Sequence, residues 1–230
     1  MLIKKKVSSV FQFLATLATL AVIVALGSTN PAAAEGVTSW DDLVAKADTF
    51  TSGSHDLTVT GNLTVGEQSK PLVVPAGVEL TLKGKGSTVT GKNKTAVEVK
   101  SGGKLNLEGP NFTKTQFTVN GDLNFIDGSI HDSDPAGPVI FVNGGNFTMS
   151  GTADFSKNTM PEKKLVTKEN PKCKDFLGIN LAPITVYNGT ATINGGTIKD
   201  NQGILRGGAL GVWGSEEKAA PPLHRGRRNQ

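Results

Sequence analysis

The densest group of side chains capable of chemistry lies in the stretch DGSIHDSD. It brings Asp127, His131, Asp132 and Asp134 close together in the chain. Three carboxylates at that density could ligate a hard cation such as Ca²⁺, which takes oxygen donors. The spacing is not that of an EF-hand, and the stretch runs into PAGP (Pro135 to Pro138), a turn sequence. Asp, Ser, Pro and Gly together read as a solvated loop. A loop is therefore the expectation, with a metal site as the alternative.

The remaining candidates are sparser. His55 and His224 have no acid or nucleophile at a recognisable spacing. There is no nucleophile elbow, HExxH or phosphate-binding glycine loop. GGAL (Gly207 to Leu210) lacks the following helix that a nucleotide loop needs. Cys173 is the one cysteine. It sits between Lys172 and Lys174, whose charge favours the thiolate. Without a resolving partner it reads as an incidental thiol, with intermolecular pairing as the alternative. One cysteine excludes a disulfide framework and a Cys-rich zinc site. No catalytic, cofactor-binding or metal-ligating residue is assigned, and no cofactor is expected.

Composition narrows the classes further. The 230 residues carry 28 Gly, 19% charged residues and a net charge of +4. That charge sits at the two ends. Lys4, Lys5 and Lys6 open the chain, and Lys218, Arg225, Arg227 and Arg228 outnumber Glu216 and Glu217 near its close. The stretch between is near neutral. It lacks the basic patch that nucleic-acid binding needs, so no nucleic-acid partner is expected.

The three lysines precede an uncharged run from Val7 to Asn30 with an apolar centre, Val10 to Leu26, then Pro31 and AAAEG. This is a secretory signal peptide over residues 1–34, cleaved between Ala34 and Glu35. An uncleaved membrane anchor is the alternative, although the run barely reaches the ~20 residues a span needs. The expectation is an exported, bacterial protein, secreted or held at the cell surface, that meets a membrane only through this segment before cleavage.

VTSWDDLVAKADTF then places Trp40, Leu43, Val44 and Ala47 on one helical face, with Ser39 as N-cap and Asp42 three residues on. Residues 35–56 read as this helix and a lead-in. From Leu57 the period changes to two: Leu57/Val59, Leu63/Val65, Val78/Leu80/Leu82, Val97/Val99, Leu105/Leu107, Phe117/Val119, Leu123/Phe125, Phe147/Met149, Ile184/Val186 and Ala191/Ile193. A glycine precedes many of these strands, at 61, 77, 103, 121, 145 and 189, spaced by 16, 26, 18, 24 and 44 residues. Short strands recurring at roughly 20–25 residues are a solenoid signature. The expectation is an all-β solenoid over residues 57–214 with a short N-terminal capping helix. Residues 35–214 would fill roughly seven or eight coils of about 22 residues. The 44-residue gap is two coils, or one plus an insertion. A low aromatic content points to a core of Val, Leu and Ile. Thr159 to Pro183, Lys-rich with three prolines, reads as an excursion loop, and residues 215–230 as a basic, disordered tail.

SWDDLVAKA followed by LVVPAGVELTLKG resembles the N-terminal cap and first coils of right-handed parallel β-helix proteins of the pectate-lyase-like kind. GNFTMSGTADFSKN (Gly145 to Asn158) and NGGTIKDNQGILRGGALGVWG (Asn194 to Gly214) resemble coils of large bacterial adhesins. FSKN and GGAL are similar to repeat motifs of chlamydial polymorphic outer-membrane proteins, and IKDN (Ile198 to Asn201) repeats the apolar-x-x-Asn theme. The resemblance implies stacked coils with asparagines bonding along the stack. It implies an adhesin-like, non-catalytic surface protein whose partner is a host or bacterial glycan or protein. Enzymes of this fold cut polysaccharides with a basic residue and Ca²⁺ or with paired carboxylates. Lys83, Lys85, Asp122 and Asp127 are exposed candidates that define no such set, and Arg206 reads as a turn residue. A polysaccharide lyase or glycoside hydrolase is the first alternative. A truncated or frame-shifted fragment of a larger adhesin is the second, in which case GGALGVW would present a raw β edge.

Overall fold

The computed structural model describes residues 35–160, 182–203 and 208–213. The expected signal segment 1–34 with Ala34 at its expected cleavage site, Arg206, most of the expected excursion loop with Cys173, and residues 215–230 with His224 lie outside the described residues. Among the described residues no helix is long and apolar enough to cross a membrane.

The described residues are all-β apart from one helix, and their strands pair in parallel. A first ladder stacks β1 (Glu35–Val37), β2 (Gly53–Val59), β5 (Val78–Lys83), β7 (Lys104–Glu108), β9 (Asp122–Asp127), β12 (Asn146–Met149) and β15 (Thr190–Ile193). The second sheet carries two ladders side by side, because β6 (Thr88–Val99) and β8 (Asn111–Val119) run through both. Ladder 2 also holds β3 (Leu63–Thr64), β10 (Ser129–His131), β13 (Asp154–Ser156) and β16 (Thr197–Lys199). Ladder 3 also holds β4 (Leu72–Val74), β11 (Ile140–Asn143), β14 (Ile184–Tyr187) and β17 (Leu210–Trp213). The chain visits ladders 1, 2 and 3 in turn, and each circuit lies in register on the one before. This arrangement is compatible with a solenoid.

Six such circuits are described, fewer than the expected seven or eight. The shortfall has two sources. The helix and lead-in consume the first residues, and the 44-residue gap is one circuit with an insertion, since Ile140 pairs with Ile184 and Phe147 with Ala191. Gly61 stands apart from the other five glycines. It precedes β3 on ladder 2, whereas Gly77, Gly103, Gly121, Gly145 and Gly189 precede ladder 1 strands.

Helix α1 (Trp40–Ala47) follows the edge strand β1. Ser39 caps it, its hydroxyl accepting from Asp42 N at 3.1 Å, and Trp40, Leu43, Val44 and Ala47 are buried. The indole of Trp40 donates to Lys70 O at 2.9 Å. The core between the ladders is aliphatic in the early circuits and aromatic in the middle. Phe112, Phe117, Phe125, Phe147 and Phe155 are fully buried, and Phe112 meets Phe117 edge-on at 5.2 Å. Phe117, Phe125 and Phe147 occupy the alternating positions expected to be apolar, and with Phe112 and Phe155 they add rings to the expected Val, Leu and Ile filling.

Two columns of residues make the turns. Entering ladder 1, the carbonyls of Gly103, Gly121 and Gly145 accept from Asp122 N, Asn146 N and Thr190 N of the next circuit. A Cβ on Gly121 or Gly145 would run into the carbonyl oxygen of the glycine before it, so the close approach requires glycine. Between ladders 2 and 3 one residue per circuit is left-handed from the second circuit on: Asn93, Lys114, Asp132, Lys157 and Asp200, at φ 50 to 56°. The residues that follow the last four, Thr115, Ser133, Asn158 and Asn201, form a stack. Ser133 Oγ accepts from Thr115 N, Asn158 Oδ1 from Ser133 N, and Asn201 Oδ1 from Asn158 N, at 3.0–3.2 Å. FSKN and IKDN are therefore neighbouring turns of one column.

Candidate functional site

Strand alternation decides which side chains ladder 1 turns outward. Leu, Val and Phe positions go to the core, and the intervening positions form rows across successive circuits. Register aligns Glu79, Lys104, Asp122, Asn146 and Thr190 in one row. A second row holds Asp56, Thr81, Asn106, Asn124, Thr148 and Thr192. A shorter third holds Thr58, Lys83, Glu108 and Asp127.

These rows are knitted by hydrogen bonds across circuits. Lys104 Nζ lies 2.9 Å from Glu79 Oε1, and Asn106 Nδ2 donates to the same oxygen at 2.9 Å. Asn124 Nδ2 donates to Asn106 Oδ1 at 2.8 Å. Asn146 Nδ2 donates to Asp122 Oδ1 at 2.7 Å, and Thr190 Oγ1 to Asn146 Oδ1 at 2.5 Å. In the third row Lys83 Nζ pairs with Asp56 Oδ2 at 2.6 Å, and Thr152 Oγ1 donates to Asp127 Oδ1 at 2.5 Å.

The electrostatics follow from these partners. The hydrogen bond from Lys104, with that from Asn106, holds the Glu79 carboxyl below its ordinary range. Thr152 and the Gly128 amide do the same for Asp127, with a smaller contribution from the charge of Lys85. Asp56 pushes the Lys83 ammonium up. A general acid needs a carboxyl raised toward neutrality, and a lysine base needs a lowered ammonium. All three shifts run the other way. The face carries charges and hydrogen-bonding side chains in rows across the circuits.

The residues singled out from sequence do not converge. Asp127 ends β9 on the ladder 1 face, whereas His131 ends β10 on ladder 2, one turn away. Contrary to the loop reading, Ser129–His131 is a strand with Ile130 fully buried. The strand reading was missed because Ile130 is the only apolar residue in that rung. His131 Nδ1 lies 2.7 Å from Asp132 Oδ2. Asp134 bonds reciprocally with Asn93, its amide donating to Asn93 Oδ1 at 3.0 Å. Among the described residues no three His, Cys, Asp or Glu side chains are placed to hold a metal. His55 stacks on Phe50 at 3.8 Å. Of the exposed candidates, Lys83, Asp122 and Asp127 lie on the ladder 1 face, and Lys85 acts on Asp127 from the turn after β5.

A shallow cleft of about 640 Å³ lies between α1 and the 66–70 turn, lined in part by Asp41, Asp48, Glu67 and Ser69. Ser69 Oγ donates to Asp41 Oδ1 at 2.8 Å. This bond and that from Trp40 to Lys70 O tie the turn to the helix, while Glu67 pairs with Lys92 and Lys94. Sequence reasoning missed the Asn and Thr members of the ladder 1 rows, because only the register between circuits of unequal length brings them together. Comparisons with family models, curated proteins and solved structures return no match.

Proposed function

We propose that this chain is an exported, surface-associated protein with a right-handed, pectate-lyase-like β-helix, acting as an adhesin-like binding module on a glycan or a protein. The observation that carries this reading is the outward face of ladder 1. Its Asn, Thr, Lys and carboxylate groups run continuously over five circuits, and its shifted groups are held ionised. Hydrogen-bonding side chains on a rigid sheet suit the recognition of hydroxyl-rich or amide-rich polymers, since little conformational entropy is lost on binding. The three-step circuit, the asparagine column and the N-terminal helix agree with what the sequence resemblance implies.

The test is to pass the purified protein over polyuronates, neutral glycans and bacterial or host cells, following retention and product release together. Retention without turnover is the expected result. Lys104→Ala combined with Asn146→Ala is expected to weaken it at least tenfold. Release of unsaturated or reducing-end products would overturn the binding reading in favour of a polysaccharide lyase or hydrolase.

A further inference from the structure

The chain holds four Asn-Gly dipeptides: Asn120-Gly121, Asn143-Gly144, Asn188-Gly189 and Asn194-Gly195. Each sets a side-chain amide carbon beside a backbone nitrogen whose residue has no Cβ to hinder it. Such a pair can close into a five-membered imide with loss of ammonia. The four look alike in the sequence, and the fold separates them.

The first three lie where ladder 3 leads into ladder 1, and each is held from reacting. Gly121 N donates to Val99 O at 3.3 Å and Gly144 N to Tyr187 O at 2.8 Å, so both nitrogens are engaged. Asn188 is left-handed at φ 51°. In that well ψ is about +47°, which sets the next nitrogen anti to Cβ and out of reach of the side-chain carbon. The Gly189 backbone is also packed onto the Gly145 carbonyl.

Asn194-Gly195 differs on each of these counts. It forms the turn from β15 to β16 in the sixth circuit. Asn194 is exposed and is not left-handed. Asn194 N donates to Met149 O and Thr197 N to Ala153 O, each at 2.8 Å, and these bonds pin the turn on either side. Between them, neither the Gly195 N–H nor the Asn194 side chain has a hydrogen-bond partner among the described residues. Among those residues β15 and β16 each pair with one strand only. The small opening that brings the nitrogen onto the carbon therefore breaks few bonds.

We propose that Asn194 is a site of spontaneous covalent modification, at which the Gly195 nitrogen attacks the side-chain amide within the folded protein. Solvent base removes the Gly195 amide proton and the nitrogen adds to Cγ. The Cγ–Nδ2 bond breaks as Nδ2 takes up a proton and leaves as ammonia. Water then opens the imide. Attack at the side-chain carbonyl leaves an aspartate on an ordinary backbone. Attack at the backbone carbonyl leaves an isoaspartate, whose chain runs through Cβ and lengthens the turn by one atom. The sum is amide plus water giving carboxylate plus ammonium, with nothing oxidised or reduced. Either product puts a negative charge on a turn that had none, so the protein carries a chemical clock in its sixth circuit.

The test incubates the full-length protein at mildly alkaline pH, folded and in urea, and maps aspartate and isoaspartate by mass spectrometry of its peptides. In the folded protein conversion at position 194 is expected to run at least tenfold faster than at 120, 143 or 188, and to quicken as pH rises. In urea the four rates should converge, because the hydrogen bonds and the left-handed backbone that protect three of them are gone. Asn194→Gln, whose longer arm closes the ring poorly, should remove the dominant product and leave the far-ultraviolet circular dichroism unchanged. Equal rates at the four sites in the folded protein, or a faster rate at any of the other three, overturns the proposal. So does a lead for position 194 that persists undiminished in urea, which would make the preference one of local sequence and not of the fold.

Discussion

At Asn158 the side-chain amide makes three hydrogen bonds, and the backbone N–H a fourth, inside the turn between ladders 2 and 3. The residue is fully buried. Its Oδ1 accepts from Ser133 N, its Nδ2 donates to Ile130 O and Asn201 Oδ1, and its own N–H donates to Asn201 Oδ1. Asn158→Ala strips Ser133 N–H and Ile130 C=O of these partners. At about 1–3 kcal/mol for each buried group left unmade, the expected loss is ~2–4 kcal/mol, read from the shift of the urea midpoint at constant slope. Thr115 begins the same column and predicts the opposite sign. Its Oγ1 is buried without a partner, so Thr115→Val removes a desolvated hydroxyl and keeps the branched shape. Stability should stay level or rise by up to ~1 kcal/mol. The sequence displayed half of this column. FSKN and IKDN share an asparagine, but Ser133 plays the same part with a hydroxyl. The stack needs an oxygen over an amide, which a serine or an asparagine can supply.

Among the elements, the turns into ladder 1 and its outer face carry the sharpest contrasts. Gly145→Ala would drive a Cβ into the Gly121 carbonyl, the same oxygen that accepts from Asn146 N. Backbone at both ends of the clash leaves no soft partner, so a loss of at least ~2 kcal/mol is expected. Gly61→Ala meets nothing within 4 Å and needs no positive φ. A neutral result, or a gain of ~0.4–1 kcal/mol, is expected from the stiffer unfolded chain. Six aligned glycines look alike in the sequence, and only the register tells a structural one from a permissive one.

The outer face of ladder 1 also sets the acid response. Glu79 and Asp127 are held below their ordinary range only when folded. The unfolded chain therefore binds more protons between the two values. The stability they contribute is present above the ordinary carboxylate pKa and is lost as pH falls through the folded one. Stability should decline below about pH 4.5, with a shallower acid limb for Glu79→Gln and Asp127→Asn in chemical denaturation from pH 3 to 7. Lys83, raised by Asp56, acts at the other extreme. Its contribution is complete below the ordinary lysine value and is lost as pH climbs past the raised one.

For the whole molecule, stacking makes stability a matter of position. Each circuit touches mainly the circuits before and after it, so the total is close to a sum of circuits and interfaces. That architecture was legible from the alternation of Leu57 to Ile193 and the recurring glycines. The number of circuits was not, because ladder 1 register steps range from 18 residues (Leu105 to Leu123) to 44 (Phe147 to Ala191). A stack tolerates unequal loops as long as the rungs stay in register, and loop length costs little entropy. The same truncation should therefore cost different amounts along the axis. Phe125 has a circuit on either side and is fully buried, so Phe125→Ala is expected to cost ~3–5 kcal/mol. Ile193 is nearly half exposed, and Ile193→Ala should cost less than ~1 kcal/mol. Native-state hydrogen exchange reads this gradient directly. Amides of β7 and β9 should exchange only through global unfolding. Those of β15, β16 and β17 should open first, because the sixth circuit, with Ile193 and Val212 exposed, loses less buried apolar surface on opening than a middle one. Uniform protection from β5 to β17 would mean that the sixth circuit is as well covered as the third, and that the exposed Ile193 and Val212 do not mark a free end.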